Sequence, residues 1–129
     1  MQIRSIGAPD FEAVRHLLMT SGWAHRIGSA PEFSRLISAS QRAMVAVEDE
    51  QIVGFARAIT DEISNGYVSM VVVAEQYRRR GVGQALVESL IASAPDITWV
   101  LRAGRPGAAE FFAKLGFNAS STAMERSRR

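Results

Sequence analysis

Cysteine is absent from this chain, which excludes disulfides, thiolate metal sites and a cysteine nucleophile. Also absent is any apolar run near the roughly 20 residues that a membrane-crossing helix needs. The opening Met1-Gln2-Ile3-Arg4-Ser5-Ile6-Gly7 holds no apolar core long enough for a signal peptide. These absences suit a cytoplasmic protein with no membrane partner. Charge of one sign is scarce too: the net charge is only +2, too small for a general nucleic-acid binder. Basic residues gather at Arg78, Arg79 and Arg80 and at the tail, Arg126, Arg128 and Arg129. The tail cluster reads as a solvated end. The first cluster lacks the interleaved aromatics on which bases stack, so nucleic acid is not an expected partner. No repeat, low-complexity tract or linker interrupts the chain. Its 129 residues, 47% hydrophobic, fit one compact domain spanning 1–129.

The most informative stretch is Arg78-Arg79-Arg80-Gly81-Val82-Gly83-Gln84-Ala85-Leu86. It lies between a β-like apolar segment, residues 67–73, and an amphipathic segment, residues 81–94. A strand therefore feeds a helix through a loop with three arginines and two close glycines. Glycine lets backbone N–H groups approach a ligand closely. The helix N-terminus adds about half a positive charge and N–H groups without internal partners. Such a junction suits an anion, phosphate above all. On the local run alone, a solvated basic loop ahead of an ordinary helix fits equally well. Two nucleotide motifs are excluded: Leu86 stands where a dinucleotide fingerprint needs its third small residue, and no Gly-x-x-x-x-Gly-Lys-(Ser/Thr) run occurs.

Patterning predicts the remaining elements. Gln2-Ile3-Arg4-Ser5-Ile6 alternates as a half-buried strand does. Pro9 and Asp10 start a helix to about Ser21, with Phe11, Val14, Leu17 and Leu18 on one face, and Gly22 ends it. Ser29-Ala30-Pro31-Glu32 is a capping box for a second helix carrying Phe33, Leu36 and Ile37. Residues 43–48 and 52–59 form a hairpin through Asp49-Glu50-Gln51, and Ser64-Asn65-Gly66 makes the next turn. The strand at 67–73 ends in a continuous apolar run, suggesting burial on both faces. The helix at 81–94 turns Val82, Leu86, Leu90 and Ile91 inward and stops at Pro95 and Asp96. Residues 97–101 give a buried strand, joined through a right-handed parallel crossover. A short helix at 108–115 ends in a left-handed cap at Gly116, and residues 117–119 and 123–126 close a terminal hairpin. The order β-α-α-β-β-β-α-β-α-β-β is that of an α/β domain with a mixed central sheet flanked by helices.

Arg78-Arg79-Arg80-Gly81-Val82-Gly83 resembles the (Gln/Arg)-x-x-Gly-x-(Gly/Ala) acyl-CoA pyrophosphate loop of GNAT-type N-acetyltransferases. Val71-Val72-Val73 resembles the end of that family's fourth strand. Ala108-Ala109-Glu110-Phe111-Phe112-Ala113-Lys114-Leu115-Gly116-Phe117 is similar to its second signature, Ala-x-x-Phe-Tyr-x-x-x-Gly-Phe. The element order is also that of the GNAT fold. The resemblance implies fourth and fifth strands that splay apart around the pantetheine arm of acetyl-CoA, the acyl donor. It carries over Arg78, Arg79, Arg80, Gly81, Val82, Gly83 and Gln84 to the pyrophosphate. It assigns main-chain groups of Val71 and Val73 to the pantetheine amides, one strand N–H polarising the thioester carbonyl. Arg105, where the family has asparagine three residues before Ala108, joins the cofactor-binding set.

The implied activity is N-acetyl transfer from acetyl-CoA to a primary amine of a small molecule or peptide, directly within a ternary complex. Two departures bear on it. Phe112 replaces the tyrosine that serves as general acid for the departing thiolate. A thiol pKa of about 8.5 makes that thiolate a tolerable leaving group, and a lost acid costs roughly a factor of 10²–10⁴. Tyr67 stands where the family often places a carboxylate, six residues before Val73. The nearest acidic candidates for the general base are Glu62 and then Asp61, otherwise turn-capping or solvated charges. His25, in the segment that forms the acceptor wall in the family, and His16 read more readily as surface residues. Arg57 and Arg102, on expected strands, need anionic partners if buried, an internal carboxylate before a substrate group. Trp99 reads as core. The alternative function is a non-catalytic acyl-CoA-binding or sensor protein, and a homodimer is a common arrangement in the family.

Overall fold

The computed structural model describes residues 1–93 and 95–129. Its sheet runs in chain order: β1 (Gln2–Ser5), β2 (Arg42–Glu48), β3 (Gln51–Thr60), β4 (Asn65–Val73) and β5 (Thr98–Val100). The first four strands are antiparallel neighbours, and β5 lies parallel to β4. Between β1 and β2 come α1 (Phe11–Met19), α2 (Ala24–Ile27) and α3 (Ala30–Ser38); α4 (Val82–Ile91) crosses from β4 to β5, and α5 (Ala108–Ala113) follows.

Each sheet face is covered according to the side chains it presents. On one face, Val14, Leu17 and Leu18 of α1, Ile27 of α2 and Phe33 and Ile37 of α3 pack on Val45, Phe55, Met70 and Val72. On the other, Val82, Leu86 and Leu90 of α4 pack on Ala46, Val53, Ala56, Ala58 and Val68. The small strand residues let α4 approach closely: a Cβ on Gly54 would lie 2.8 Å from a Leu86 methyl. At α3 the expected capping box forms, the Glu32 amide donating to Ser29 Oγ at 3.3 Å and the Ser29 amide to Glu32 Oε1 at 3.1 Å.

The β2–β3 hairpin is tighter than expected. Gln51 pairs with Glu48, leaving Asp49 and Glu50 as a two-residue turn with φ of 52° and 63°. β4 carries a bulge: Phe55 faces Val72 and Arg57 faces Ser69, so two β3 steps span three on β4, and Met70 takes φ 58°.

The structure corrects four expectations. An additional helix, α2, separates the two helices expected before β2. α4 ends at Ile91, with Ser93 at φ 63°; the expected end at Ala94 lies outside the described residues. β5 is not buried: Thr98 and Val100 are exposed, because no further strand among the described residues covers the sheet edge. The terminal hairpin at 117–119 and 123–126 is absent. Its middle is a local turn in which the amides of Thr122 and Ala123 donate to Ser120 Oγ, and small polar side chains there offer no cross-strand packing.

Candidate functional site

The sheet opens beside β4. β5 pairs only with the first three residues of β4, Asn65, Gly66 and Tyr67. The Trp99 ring lies against Gly66, where any Cβ would collide with it, so the two strands are held together at this end. From Val68 to Val73, β4 has no strand neighbour on its outer side among the described residues. The Ala74 amide donates to the Val53 carbonyl at 2.8 Å, so by strand alternation the main chain of Val73 faces away from β3. Its carbonyl is held from the outer side by Arg78 Nε at 3.0 Å. Val71 lies between Val73 and the bulge at Met70, within the same open stretch.

At the end of that stretch is the basic loop. After a single 3₁₀ turn at Glu75–Tyr77, Arg79 and Gly81 both adopt left-handed backbone, φ 64° and 81°. Arg79 holds that conformation despite its side chain, whereas Gly81 meets no steric obstacle there. The first hydrogen bond of α4 runs from the Ala85 amide to the Gly81 carbonyl. Six successive amides, from Arg79 to Gln84, therefore donate to no protein group among the described residues. Val82 is 2% exposed and anchors the loop in the core. Arg78, Arg79 and Arg80 are exposed around the amides, with the Arg80 guanidinium 5.3 Å from the Tyr77 ring centroid. Gln84 turns its amide to Glu88 at 2.8 Å. Free amides, a helix N-terminus and three guanidinium groups make a site that can hold a polyanion.

The second signature lies alongside. A Cβ on Gly83 would sit 3.1 Å from the Phe111 ring and 3.6 Å from a Val73 methyl. Gly83 thus accommodates α5 against the start of α4. Phe112 is 8% exposed and makes edge contacts with Phe111 and Phe117, at centroid distances of 4.9 and 5.6 Å. Gly116 closes the helix at φ 93°, as expected. Arg105 is committed elsewhere: it donates to the Ser21 carbonyl at 3.2 Å and lies over Trp23 at 4.3 Å, tying the β5–α5 loop to the segment after α1.

The two carboxylates proposed as bases are on the β3–β4 turn, at the closed end of β4. Asp61 accepts from the amides of Ile63, Ser64 and Asn65 and from Ser64 Oγ, at 2.7–3.1 Å. These bonds hold its carboxyl far below the usual range. Glu62 forms a bidentate pair with Arg42, at 2.8 and 3.1 Å, which also lowers its pKa. Arg42 in turn donates to the Leu90 carbonyl at 2.7 Å and lies 5.2 Å from the Trp99 ring, joining β2 to the end of α4. Both carboxylates are thereby weaker bases than free ones. His16 and His25 are exposed. Arg102 is exposed and paired with Glu125 at 2.7 Å. Arg57 is buried, and among the described residues it lacks the internal carboxylate expected for it; its Nε donates to Ser40 Oγ at 2.8 Å. Trp99 is half-buried, its indole N–H without a partner among the described residues.

The family description Acetyltransferase (GNAT) domain matches residues 39–119, which include the open strand, the amide loop and the second signature. This chain belongs to the GNAT acetyltransferase family. GNAT domains generally use acetyl-CoA. The chain is 33% identical over 104 residues to a PanD regulatory factor from Salmonella typhimurium, covering 74% of this chain and 81% of that protein. Its fold is similar to that of a GNAT-family acetyltransferase from Streptococcus pneumoniae, with a TM-score of 0.80, 22% identity and coverage of 99% and 96% of the two chains. It is similar too to glucosamine-6-phosphate N-acetyltransferase from Arabidopsis thaliana, with a TM-score of 0.74, 18% identity and coverage of 98% and 97%.

Within this GNAT domain, sequence reasoning missed three features. The Arg105–Trp23 stack joins residues 82 positions apart, and nothing local signals it. The Met70 bulge appears only when β3 and β4 are laid in register. The tethering of Asp61 and Glu62 was legible in part: Asp61 precedes Ser64 by three residues, the spacing of a side-chain turn.

Proposed function

We propose that this protein binds acetyl-CoA at the β4–α4 loop and uses the bound thioester as a signal to a partner protein, with transfer chemistry weak or absent. One contrast carries this reading. The amides of Arg79 to Gln84 make no hydrogen bond among the described residues, while the groups expected for proton transfer are poorly suited to it. Phe112 has no proton to give, and Asp61 and Glu62 are held by other partners. In this reading the pyrophosphate lies on the loop amides, with Arg79 and Arg80 as side-chain contacts. The pantetheine arm follows the open side of β4 past Val73 and Val71. The relative from Salmonella typhimurium supports a regulatory output, since its name assigns it to PanD; by analogy, a PanD protein is the first partner to test here.

Calorimetry with acetyl-CoA and a complex-formation assay with PanD from the same cell, with and without acetyl-CoA, test the reading. Saturable acetyl-CoA binding and a PanD complex that forms only with acetyl-CoA are expected. No heat and no thermal shift with millimolar acetyl-CoA would sink it.

The second reading is direct N-acetyl transfer to a primary amine of a small molecule or peptide. The openness of β4 from Val68 onward favours it, because a thioester there stays accessible to an attacking nitrogen. CoA release from acetyl-CoA with a panel of amines, well above the hydrolysis background, would put this reading first.

A further inference from the structure

Arg57 is 5% exposed, yet no carboxylate among the described residues lies within ion-pair distance of it. Its side chain rises from β3 on the face covered by α1–α3, opposite Ala43 of β2 and Ser69 of β4. Both flanking residues are small. The orientation is fixed by one bond, Nε to Ser40 Oγ at 2.8 Å, and Ser40 spends its own proton on the Leu36 carbonyl at 2.8 Å. Ser40 is thus held as an acceptor just past α3. The two Nη groups make no hydrogen bond among the described residues. With the residue 5% exposed, the fork is nearly but not fully enclosed. Tyr67, its diagonal neighbour on β4, brings a phenol to the same patch.

A buried cation without a counter-charge is costly, and burial already disfavours the charged form of this group. The other arginines near this part of the sheet are engaged, Arg42 with Glu62 and Arg102 with Glu125. One planar fork is therefore left without a counter-charge, matched to one carboxylate rather than to a dianionic phosphate that calls for several cations.

We propose that Arg57, oriented by Ser40 and flanked by Tyr67 and Ser69, is a binding site for the carboxylate of a small-molecule ligand, separate from the anion site of the β4–α4 loop. Arg57 pairs with Ser69, within the stretch of β4 that runs open from Val68. A ligand held here by its carboxylate would extend toward that opening. The site does not depend on acyl-CoA and is testable without it.

The probe is acetate, titrated into the protein free of nucleotide and followed by NMR of the Arg57 guanidinium and the Tyr67 and Ser69 amides. Acetate should produce saturable shifts at all three, and acetamide none. Arg57→Lys, which keeps the charge and loses the fork, should weaken acetate about tenfold. Ser40→Ala should weaken it by a smaller factor, and Arg57→Met should abolish it. If Arg57→Met does not fold, the lysine and Ser40 variants decide. Absent or non-saturable shifts in the wild type, or equal shifts in Arg57→Lys, would overturn the site. Tighter binding of inorganic phosphate than of acetate would overturn its assignment to carboxylates.

Discussion

Arg78 donates from Nε to the Val73 carbonyl at 3.0 Å, so the loop that offers its amides to an anion also occupies the last carbonyl of β4. That carbonyl is the one the resemblance assigns to pantetheine. The Arg78 side chain thus competes with one part of the ligand while its charge favours another. Arg78→Ala should change the acetyl-CoA dissociation constant by less than about threefold, since a gained and a lost hydrogen bond are each worth about 1 kcal/mol. Arg79→Ala and Arg80→Ala, which carry no such opposition, should each weaken binding more. Calorimetry on the three variants checks the order; a large loss confined to Arg78→Ala would contradict it.

Gly83→Val meets α5 before it meets any ligand. The helical backbone at Gly83 tolerates a side chain, but a Cβ there is already 3.1 Å from the Phe111 ring. Displacing that ring should cost about 1–3 kcal/mol of stability, with acetyl-CoA affinity falling as the start of α4 shifts. Denaturant unfolding of Gly83→Val with and without Phe111→Leu separates the causes. The double variant should lose less than the sum of the two single losses; simple additivity would mean that Phe111 is not the obstacle.

Phe112→Tyr restores the family's acid position. Under the regulatory reading, acetyl-CoA affinity should hold and CoA release with amines should stay at background. Phe112 is packed between Phe111 and Phe117, so a new hydroxyl also needs a partner, at a cost of about 1–3 kcal/mol if none is found. A rise of tenfold or more in kcat, with KM little changed, would favour the transferase reading instead.

Asp61 ties acid stability to the β3–β4 turn. Hydrogen bonds from the Ser64 and Ile63 amides, then Ser64 Oγ and the Asn65 amide, lower its folded-state pKa. Its contribution is therefore fully present above the unfolded carboxylate value of about 4, and it is lost as pH falls toward the lower folded value. Asp61→Asn should lower Tm most near neutral pH, and the difference should shrink as pH drops below about 4. A Tm difference independent of pH would show that the charge on Asp61 does not matter.

The elements that position the loop were legible because their signals are local. Val82, Leu86 and Leu90 recur on one helical face, and Ser29 and Glu32 cap their helix as a pair. Arg78 to Gly83 stand in sequence where the chain itself turns from strand to helix. The features that decide reactivity are not local. Glu62 is neutralised from 20 residues away by Arg42, and Arg105 is drawn to Ser21 across 84 positions. The expected burial of β5 and the expected terminal hairpin failed for one shared reason. A strand's pattern of apolar residues declares what it can pair with, and among the described residues β5 has β4 on one side and no strand on the other.

The short contact between β4 and β5 has a consequence for hydrogen exchange. Amides of β3 are flanked by strands on both sides and covered on both faces, so they should exchange only on global unfolding. The Val73 amide, in the same sheet and only half-exposed, faces the open side and should exchange quickly. Acyl-CoA laid along that side should slow Val73 and the amides from Arg79 to Gln84 together. Protection confined to the loop would mean that only the phosphate end of the ligand is held. One exchange profile thus measures how far along β4 the bound ligand reaches.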